Sequence, residues 1–484
     1  MENRYEIYQD PDEALFQPVM HRGRNYYLLV ASLSVFVILG IAAYIYQFVE
    51  GLTVTGLSRQ VFWGVYITDF VFFIGISHAG TLISAILRIT KAEWRRPVTR
   101  CAELITVMVL FFGVASILID LGRPDRMFNI VKHANFGSPL LWDLTSVSVY
   151  LTCSISFLYT AMIPDIAMLR DRGIKPRWLY EILAIGWRGT ERQKKRLNIA
   201  VTILCIAVIP VAVSVHTVVS YVFAMTTQPM WHSAIFGPYF VVGAIFSGIA
   251  ALIIAMAIIR KVYHLENYLT QQHFTNLGYL LLAMTVFWFY FTFGEYLTAW
   301  YGHEPTEMKV FWEKFTGDYA PHYWAMVICC FVIPMCILPF NKTRTILGTC
   351  IASGAIVIGM WLERYVIIVP TLLNQRLESS RIDASVYPPV ESVAAVNYAP
   401  SWVEWAIFVG CFAFFVLLYV VFTKYFPIIS IWELREGREE KIEEVHEFLH
   451  EHPEELAKIQ RTPLGHVSFH HDHPEGGMHN KPEK

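Results

Sequence analysis

Charged residues are scarce in this sequence. They make up 16% of its 484 residues, whereas soluble globular proteins average about 25%. The net charge of -2 gives no indication of a polyanionic partner such as nucleic acid. Hydrophobic residues, 55% of the chain, are gathered into long blocks, and each membrane helix needs about 20 such residues in a row. These features argue against a soluble enzyme, a disordered chain or a nucleic-acid-binding protein, and they predict an all-α polytopic membrane protein.

Cysteine motifs for redox cofactors are also missing. The eight cysteines lie in or beside apolar segments, without a C-x-x-C, a C-x-x-C-H or a ferredoxin-like run. The sequence therefore carries no signature of an iron–sulfur cluster or of a covalently attached haem. We interpret these cysteines as small hydrophobic residues and expect no metal ligands among them.

The apolar blocks predict ten membrane-spanning helices, each long enough to cross with some tilt. The predicted spans are 27–48, 61–88, 101–121, 140–162, 198–224, 238–260, 276–301, 322–340, 344–370 and 402–424. With the N-terminus inside, the inner segments and their helix edges hold 29 of the 38 basic residues. The positive-inside rule thus predicts that both termini are cytoplasmic.

Two polar segments are expected to lie outside the bilayer. The basic inner loop 163–197 contains Trp178 and Ile182 and predicts a short interfacial helix. In the charged tail, the stretch 433–459 has Ile442, Val445 and Leu449 at helical spacing, which predicts an amphipathic helix. The His-rich end beyond it is expected to be disordered.

Ionisable residues inside membrane helices are costly, so each is a candidate functional residue. Most are predicted to lie in the outer halves of their spans, and the full set is Asp69, His78, Asp120, Asp143, His216, Glu295, Glu363 and Arg364. Structural roles are open for several of them. The aspartates at helix ends could bond to loop backbone, His78 could be a satisfied core histidine, and Glu295 or Glu363 could pair with Arg364.

His78 and His216 are the deep histidines that could ligate a membrane haem. Measured from the midpoints of their predicted spans, they differ in depth by roughly 13 Å at about 1.5 Å of rise per residue. Two axial ligands of one haem could not differ so much in depth. We therefore predict that the chain binds no haem.

The loop between the third and fourth spans reads Asp120-Leu-Gly-Arg-Pro-Asp-Arg126, followed by Asn135-Phe-Gly-Ser-Pro-Leu-Leu-Trp-Asp143. Together with Gly75-Ile-Ser-His-Ala-Gly80 in span two, it resembles the NrfD/PsrC family of quinone-reactive membrane subunits. Within that family, the ten spans, the basic inner loop and the charged tail are most similar to ActC-type subunits of alternative complex III.

The resemblance implies two four-helix bundles, spans two to five and six to nine, with spans one and ten peripheral. The implied division begins with a cytoplasmic segment (1–26) and a peripheral span with its loop (27–60). The first bundle (61–224) and the second bundle (225–370) follow. The chain ends with an outer loop (371–401), a last span (402–424) and a cytoplasmic tail (425–484).

The resemblance also implies that menaquinol or ubiquinol is the substrate. Electrons would pass to an iron–sulfur subunit and then to multihaem cytochrome c subunits, beside a homologous ActF-type membrane subunit and lipid. His78, Asp120 and Asp143 are the expected catalytic residues. The expected quinol-binding set is His78, Asp120, Arg123, Asn135, Ser138, Trp142 and Asp143.

A proton path is a further expectation, because structure alone would not require so many ionisable groups near the second bundle. Its candidate residues are Asp69, His216, Glu295, Glu363 and Arg364. Two other functions remain open. The same site could reduce quinone as the membrane anchor of a molybdopterin or iron–sulfur reductase, or the chain could be a secondary transporter with broken helices in both halves.

Overall fold

The computed structural model describes residues 12–58, 60–374 and 398–452. All regular secondary structure in these ranges is helical, and nine helices there are long and apolar enough to cross a membrane. The prediction of an all-α polytopic membrane protein is therefore confirmed. The His-rich end of the tail and most of the outer loop 371–401 lie outside the described residues.

Seventeen α-helices follow one another along the described chain. They are α1 (Glu13–Met20), α2 (Arg24–Glu50), α3 (Val65–His78), α4 (Ser84–Ile89), α5 (Thr99–Asp120), α6 (Asn129–Lys132), α7 (Pro139–Asp171), α8 (Arg177–Leu183), α9 (Glu191–Ala224), α10 (Phe236–Val262), α11 (Gln271–Gly302), α12 (Pro305–Phe315), α13 (Ala320–Val327), α14 (Ile333–Ile337), α15 (Ile346–Leu373), α16 (Trp402–Phe422) and α17 (Ile431–Glu451). Short 3₁₀ turns occupy Leu52–Val54, Glu93–Arg95 and Pro124–Arg126.

Two of the predicted spans are interrupted by π-helical segments. Ala79–Ile83 joins α3 to α4, and Ile328–Val332 joins α13 to α14. Because α3 alone is only 14 residues long, the count of ten spans is not confirmed. At the first interruption Gly80 packs so closely on α5 that a Cβ would overlap the Ala102 carbonyl oxygen. Glycine is therefore required at this helix contact.

Two helices extend well beyond their predicted spans. The fourth span was predicted to end at residue 162 and the fifth to begin at 198, whereas α7 continues to Asp171 and α9 starts at Glu191. Hydropathy marks only the apolar part of a helix, and the Arg, Lys, Gln and Glu residues beyond it are good helix formers. A capping box formed by Thr190 and Gln193 sets the start of α9.

The two bundles implied by the resemblance correspond to two sets of four membrane helices. The first consists of α3 with α4, α5, α7 and α9, and the second of α10, α11, α13 with α14, and α15. Helix α10 contacts both groups, since it packs on α3 and α9 as well as on α11 and α15. Helices α2 and α16 pair with each other beside α3 and α5. The interior between α3, α9, α10 and α15 is where deep polar side chains meet.

The predicted inner-loop helix is present as α8. Tyr180 is buried and its hydroxyl donates to the Tyr425 carbonyl at 2.9 Å, while Trp178 and Ile182 are exposed. The tail residues that the structure describes from Glu433 onward belong to a unit separate from the rest of the chain. Within the described part of that unit, α17 exposes Ile442 and Val445 on one face, as predicted for an amphipathic helix.

Candidate functional site

His78 is the last residue of α3, directly before the π-helical segment, and its side chain is fully buried. Its Nδ1 lies 3.0 Å from the Ile74 carbonyl oxygen and its Nε2 lies 2.6 Å from that of Ala212 in α9. A neutral imidazole has one N–H and can donate to only one of two carbonyls, whereas the imidazolium donates to both. Both ring nitrogens thus face backbone carbonyls, one on its own helix and one on α9.

His216 in α9 lies against His78, with ring centroids 4.2 Å apart. It is fully buried, and neither of its ring nitrogens has a hydrogen-bond partner. The predicted depth difference of roughly 13 Å between the two histidines is therefore wrong. The rings touch edge to face, and both nitrogens of His78 already face backbone carbonyls. The absence of haem stays a prediction, but its argument from depth does not hold.

Arg364 and Glu363 form a buried ion pair in α15, with Nη1 and Oε2 separated by 2.9 Å. Of the pairings that the sequence left open for Arg364, the structure shows the one with Glu363. Glu363 also accepts a bond of 2.5 Å from Trp288 Nε1. The Arg364 guanidinium stacks over Phe240 at 4.5 Å and is close enough to His216 to act on it electrostatically.

Space for Arg364 comes from a glycine on the central helix. A Cβ at Gly243 in α10 would lie 2.7 Å from Arg364 Nη2. The guanidinium therefore lies against the backbone of α10, on the same side as Phe240. A line of polar side chains runs from His78 through His216 to Arg364 and Glu363, across the contact between the two helix groups.

The remaining candidates from the spans lie apart from this line. Asp69 in α3 is buried and accepts from Trp361 Nε1 at 2.8 Å. Glu295 in α11 accepts from Ser233 Oγ at 2.8 Å, so it pairs with a hydroxyl and not with Arg364. Asp69 and Glu295 are thus each hydrogen-bonded to a residue outside this line, and neither is bonded to the histidines.

Asp120 and Asp143 end up in separate surroundings. Asp120 closes α5 near Glu404, whereas Asp143 stands one turn inside α7 and is 7% exposed. Each has a buried carboxylate oxygen without a hydrogen-bond partner. Buried acceptors are almost always satisfied in folded proteins, so an unpartnered one points to a water or a ligand. The three expected catalytic residues, His78, Asp120 and Asp143, are not brought into contact.

The loop residues of the family motif shape the loop itself. Arg123 forms two hydrogen bonds of 3.0 Å to Asp125, and these bonds lower the pKa of the exposed Asp125 carboxyl. Asn135 Oδ1 accepts from the backbone of Gly137 at 3.0 Å. Trp142 Nε1 donates to the Phe136 carbonyl at 2.6 Å, and Ser138 occupies the N-cap position of α7.

A buried glutamate that sequence reasoning missed organises the outer ends of α3 and α16. Glu404 accepts hydrogen bonds from the backbone of Gly56 at 2.7 Å and from the Tyr398 hydroxyl. Tyr398 in turn accepts from the Val65 backbone at 3.0 Å, and burial raises the pKa of its hydroxyl. Glu404 follows Ser401 by three residues, and this capping-box spacing was the available signal.

An ion pair at the opposite ends of the helices was also missed. Arg100 at the start of α5 and Asp165 near the end of α7 are both buried, with Nη1 and Oδ2 2.6 Å apart. Asp165 further accepts from the backbone of Ile431 at 3.2 Å and of Trp432 at 3.0 Å, the first residues of α17. Their places at span edges made both look like ordinary flanking charges.

A third missed residue is Lys314 on α12. Its side chain is only 3% exposed and lines a cavity of about 20 Å³ with Glu295, Trp231, Tyr239 and Tyr296. Burial lowers the pKa of its ammonium group to about 8. As for metals, no group of three or more His, Cys, Asp or Glu side chains among the described residues is placed to hold one.

Comparison with known proteins identifies the family. The model of the polysulphide reductase NrfD family matches residues 53–374. The chain belongs to the NrfD family. The resemblance expected from the loop and histidine motifs is therefore confirmed.

Three relatives align over most of their own length. A candidate membrane subunit of dimethyl sulfoxide reductase from Halobacterium salinarum is 25% identical, over 87% of this chain and 95% of the relative. A subunit of the selenate reductase of Mesobacillus selenatarsenatis is 23% identical, over 83% and 94%. The Hdr-like menaquinol oxidoreductase integral membrane subunit of Archaeoglobus fulgidus is 25% identical, over 86% and 97%.

Proposed function

We propose that this NrfD-family chain binds quinol near its predicted outer face and oxidises it as the membrane subunit of a multi-subunit redox complex. The observation that carries the proposal is Asp143. Its carboxylate is buried one turn inside α7 and keeps an oxygen without a partner. An acceptor of this kind fits a ligand hydroxyl that must lose its proton. The similarity to a menaquinol oxidoreductase membrane subunit supports menaquinol as the substrate.

Oxidation of a quinol releases two protons and two electrons. We assign the first proton to Asp143 as general base. We assign the second to His78, which is buried at the end of α3 beside His216. Asp120 is a further candidate acceptor in its own surroundings beside Glu404, because one of its oxygens has no partner. Arg123, Asn135, Ser138 and Trp142 then form the rim, held by the bonds within their loop.

The electrons need acceptors in other subunits. We propose an iron–sulfur subunit followed by multihaem cytochrome c subunits, docked on the outer loops as in alternative complex III, with a homologous ActF-type membrane subunit alongside. In this arrangement the chain is ActC-like and lies in a bacterial inner membrane with both termini in the cytoplasm. Relatives named as subunits of selenate reductase and menaquinol oxidoreductase support a complex with partner subunits.

We further propose that protons are translocated through the second bundle. Arg364 and His216 connect the quinol side of the molecule to Glu363, and Glu363 faces the interior of the second bundle. The proton path would use His216, Arg364, Glu363 and Glu295. Asp69 would carry protons on the side of the first bundle. The alternative is that Glu363 and Arg364 are a structural ion pair.

The test of quinol oxidation uses two variants of the assembled complex, Asp143→Asn and His78→Ala. Loss of a general base typically costs 10²- to 10⁴-fold in rate, so quinol-oxidation turnover should fall by a factor of about that size in Asp143→Asn. Asp171→Asn, at the exposed end of the same helix, is the matched control. Near-normal turnover in both variants would remove the assignment.

The same assay determines whether the complex oxidises quinol or reduces quinone. If reduced partner subunits drive quinone reduction faster than quinol drives their reduction at matched potentials, the anchor of a quinone-reducing enzyme is the better description. Uptake of a solute by vesicles without any quinol activity would instead favour a transporter.

A further inference from the structure

A polar cavity lies at one end of the second bundle, where α12 connects α11 to α13. Its volume is about 20 Å³, enough for one water molecule. Glu295 and Lys314 bring two ionisable groups to its wall. The rest is lined by Tyr239, Tyr296 and Trp231 and by the apolar Met230, Phe236 and Ile367. Quinol oxidation at Asp143 makes no use of this cavity.

Lys314 is an unusual resident of such a site. Lysine is almost never fully buried unless it is paired, yet Lys314 is 3% exposed. Its Nζ lies 5.7 Å from the centre of the Tyr296 ring, and Glu295 is the carboxylate that stabilises its charge. On the same helix Val310 and Phe311 are also buried. The ammonium group is thus held under α12 between an aromatic ring and a carboxylate.

The cavity is connected to the deep polar line. Tyr239, which lines it, lies close enough to Glu363 to interact with it electrostatically, and it accepts from Thr292 Oγ1 at 3.3 Å. Glu363 is paired with Arg364. From Lys314, the path to Arg364 therefore runs through the cavity, then Tyr239, then Glu363.

We propose that Lys314 and Glu295 form the terminal proton-exchange site of the second bundle on the predicted outer side, with water in the cavity between them. The Lys314 ammonium gives a proton to outer water, and the neutral amine is reprotonated by Glu295 through the cavity water. Glu295 regains its proton from the side of Tyr239 and Glu363. This inference rests on the proposed function, because quinol oxidation drives the transfer.

The groups that face Lys314 decide how it titrates. They are Glu295 and Tyr296 from α11 and Tyr239 from α10. Tyr323 of α13 packs on the Tyr296 ring, and Glu307 of its own helix acts on Glu295. The tyrosines are buried, so Glu295 is the partner whose charge changes with Lys314. Burial of the lysine lowers its pKa to about 8, which makes its proton exchangeable near neutral pH.

A structural ion pair is the competing explanation, and arginine distinguishes the two. Lys314→Arg keeps the positive charge and most of the bulk, but a guanidinium does not deprotonate in proteins. Lys314→Gln removes the charge as well, and Lys309→Gln on the exposed side of α12 is the matched control. All variants are measured in the assembled complex in vesicles, for quinol turnover and for protons released outside per electron.

The proposal expects wild type and Lys309→Gln to release more than the one proton per electron that quinol itself supplies. In Lys314→Arg the ratio should fall to that of quinol alone. A normal ratio in Lys314→Arg would overturn the proposal, and so would a wild-type ratio that never exceeds one. Quinol turnover is recorded in the same vesicles, so failure of the proposed oxidation would be seen separately.

Discussion

His78 and His216 meet edge to face, 4.2 Å between ring centroids, where the first helix group contacts the second. His78 is bonded on both nitrogens, whereas His216 has no hydrogen-bond partner. His78 is thus held by backbone carbonyls on both sides, whereas His216 is held by packing alone. Arg364 lies within electrostatic reach of His216, so the protonation of the pair is linked to the ion pair of the second group.

The close packing of α3 on α5 predicts that Gly80 tolerates no side chain. In Gly80→Ala the new Cβ would overlap the backbone oxygen of Ala102, and the helices must separate. We expect a loss of several kcal/mol, comparable with severe overpacking, seen as a lower thermal midpoint in detergent. Gly354→Ala, where nothing lies within 4 Å, should be unchanged. Equal midpoints for the two variants would contradict the helix contact.

Removing one partner of the Arg100–Asp165 pair should destabilise the protein strongly. Asp165→Asn leaves the buried guanidinium without its counter-charge, which typically costs about 3–5 kcal/mol. The exposed pair Arg177–Glu181 provides the control, because Glu181→Gln should cost less than about 1 kcal/mol. Thermal unfolding in detergent measures both. A small effect at Asp165 would mean that water reaches the pair.

The lowered pKa of Lys314 predicts that the stability of the protein rises with pH. Its pKa is about 8 in the folded protein against 10.5 for an ordinary lysine. Between these values the unfolded chain holds a proton that the folded chain has lost, so the free energy of unfolding increases with pH. The gain is at most about 3 kcal/mol. Between pH 8 and 10.5 the thermal midpoint of the wild type should rise relative to that of Lys314→Met. The midpoint of Lys309→Met should follow the wild type. If the midpoints of wild type and Lys314→Met change with pH in parallel, the prediction is wrong.

The isolated chain is predicted to carry no haem and no iron. The basis is the absence of cysteine motifs and the occupation of both His78 nitrogens by backbone carbonyls. Absorbance spectra and metal analysis of the purified subunit test this directly. A Soret band or stoichiometric iron on the chain without its partners would contradict the prediction.

The sequence was sufficient to predict an all-helical membrane protein and its family, because long apolar blocks and a short motif loop can be recognised without any tertiary information. It could not give the depth of side chains. The second span was predicted from residue 61, whereas α3 begins at Val65, which alone moves His78 about 6 Å towards that end. Span midpoints ignore tilt and unequal helix ends, so the contact with His216 was missed.

The candidate site was predictable only in part. Ionisable residues inside spans stand out by their cost, and that criterion found His216, Glu363 and Arg364. It overlooked Lys314 and Glu404, which lie outside the spans or at their edge and are buried by tertiary packing alone. Which partner each residue takes also depends on packing. Glu295, for example, bonds to Ser233 and not to Arg364.

The most direct test of the central claim is equilibrium binding of a menaquinol analogue to the purified chain in lipid nanodiscs. Wild type and Asp171→Asn should bind one equivalent saturably, whereas Asp143→Asn should bind at least tenfold more weakly, because a charge-assisted hydrogen bond contributes about 1.5–3 kcal/mol. Equal affinity in wild type and Asp143→Asn would contradict the assignment of the quinol site to the outer end of α7.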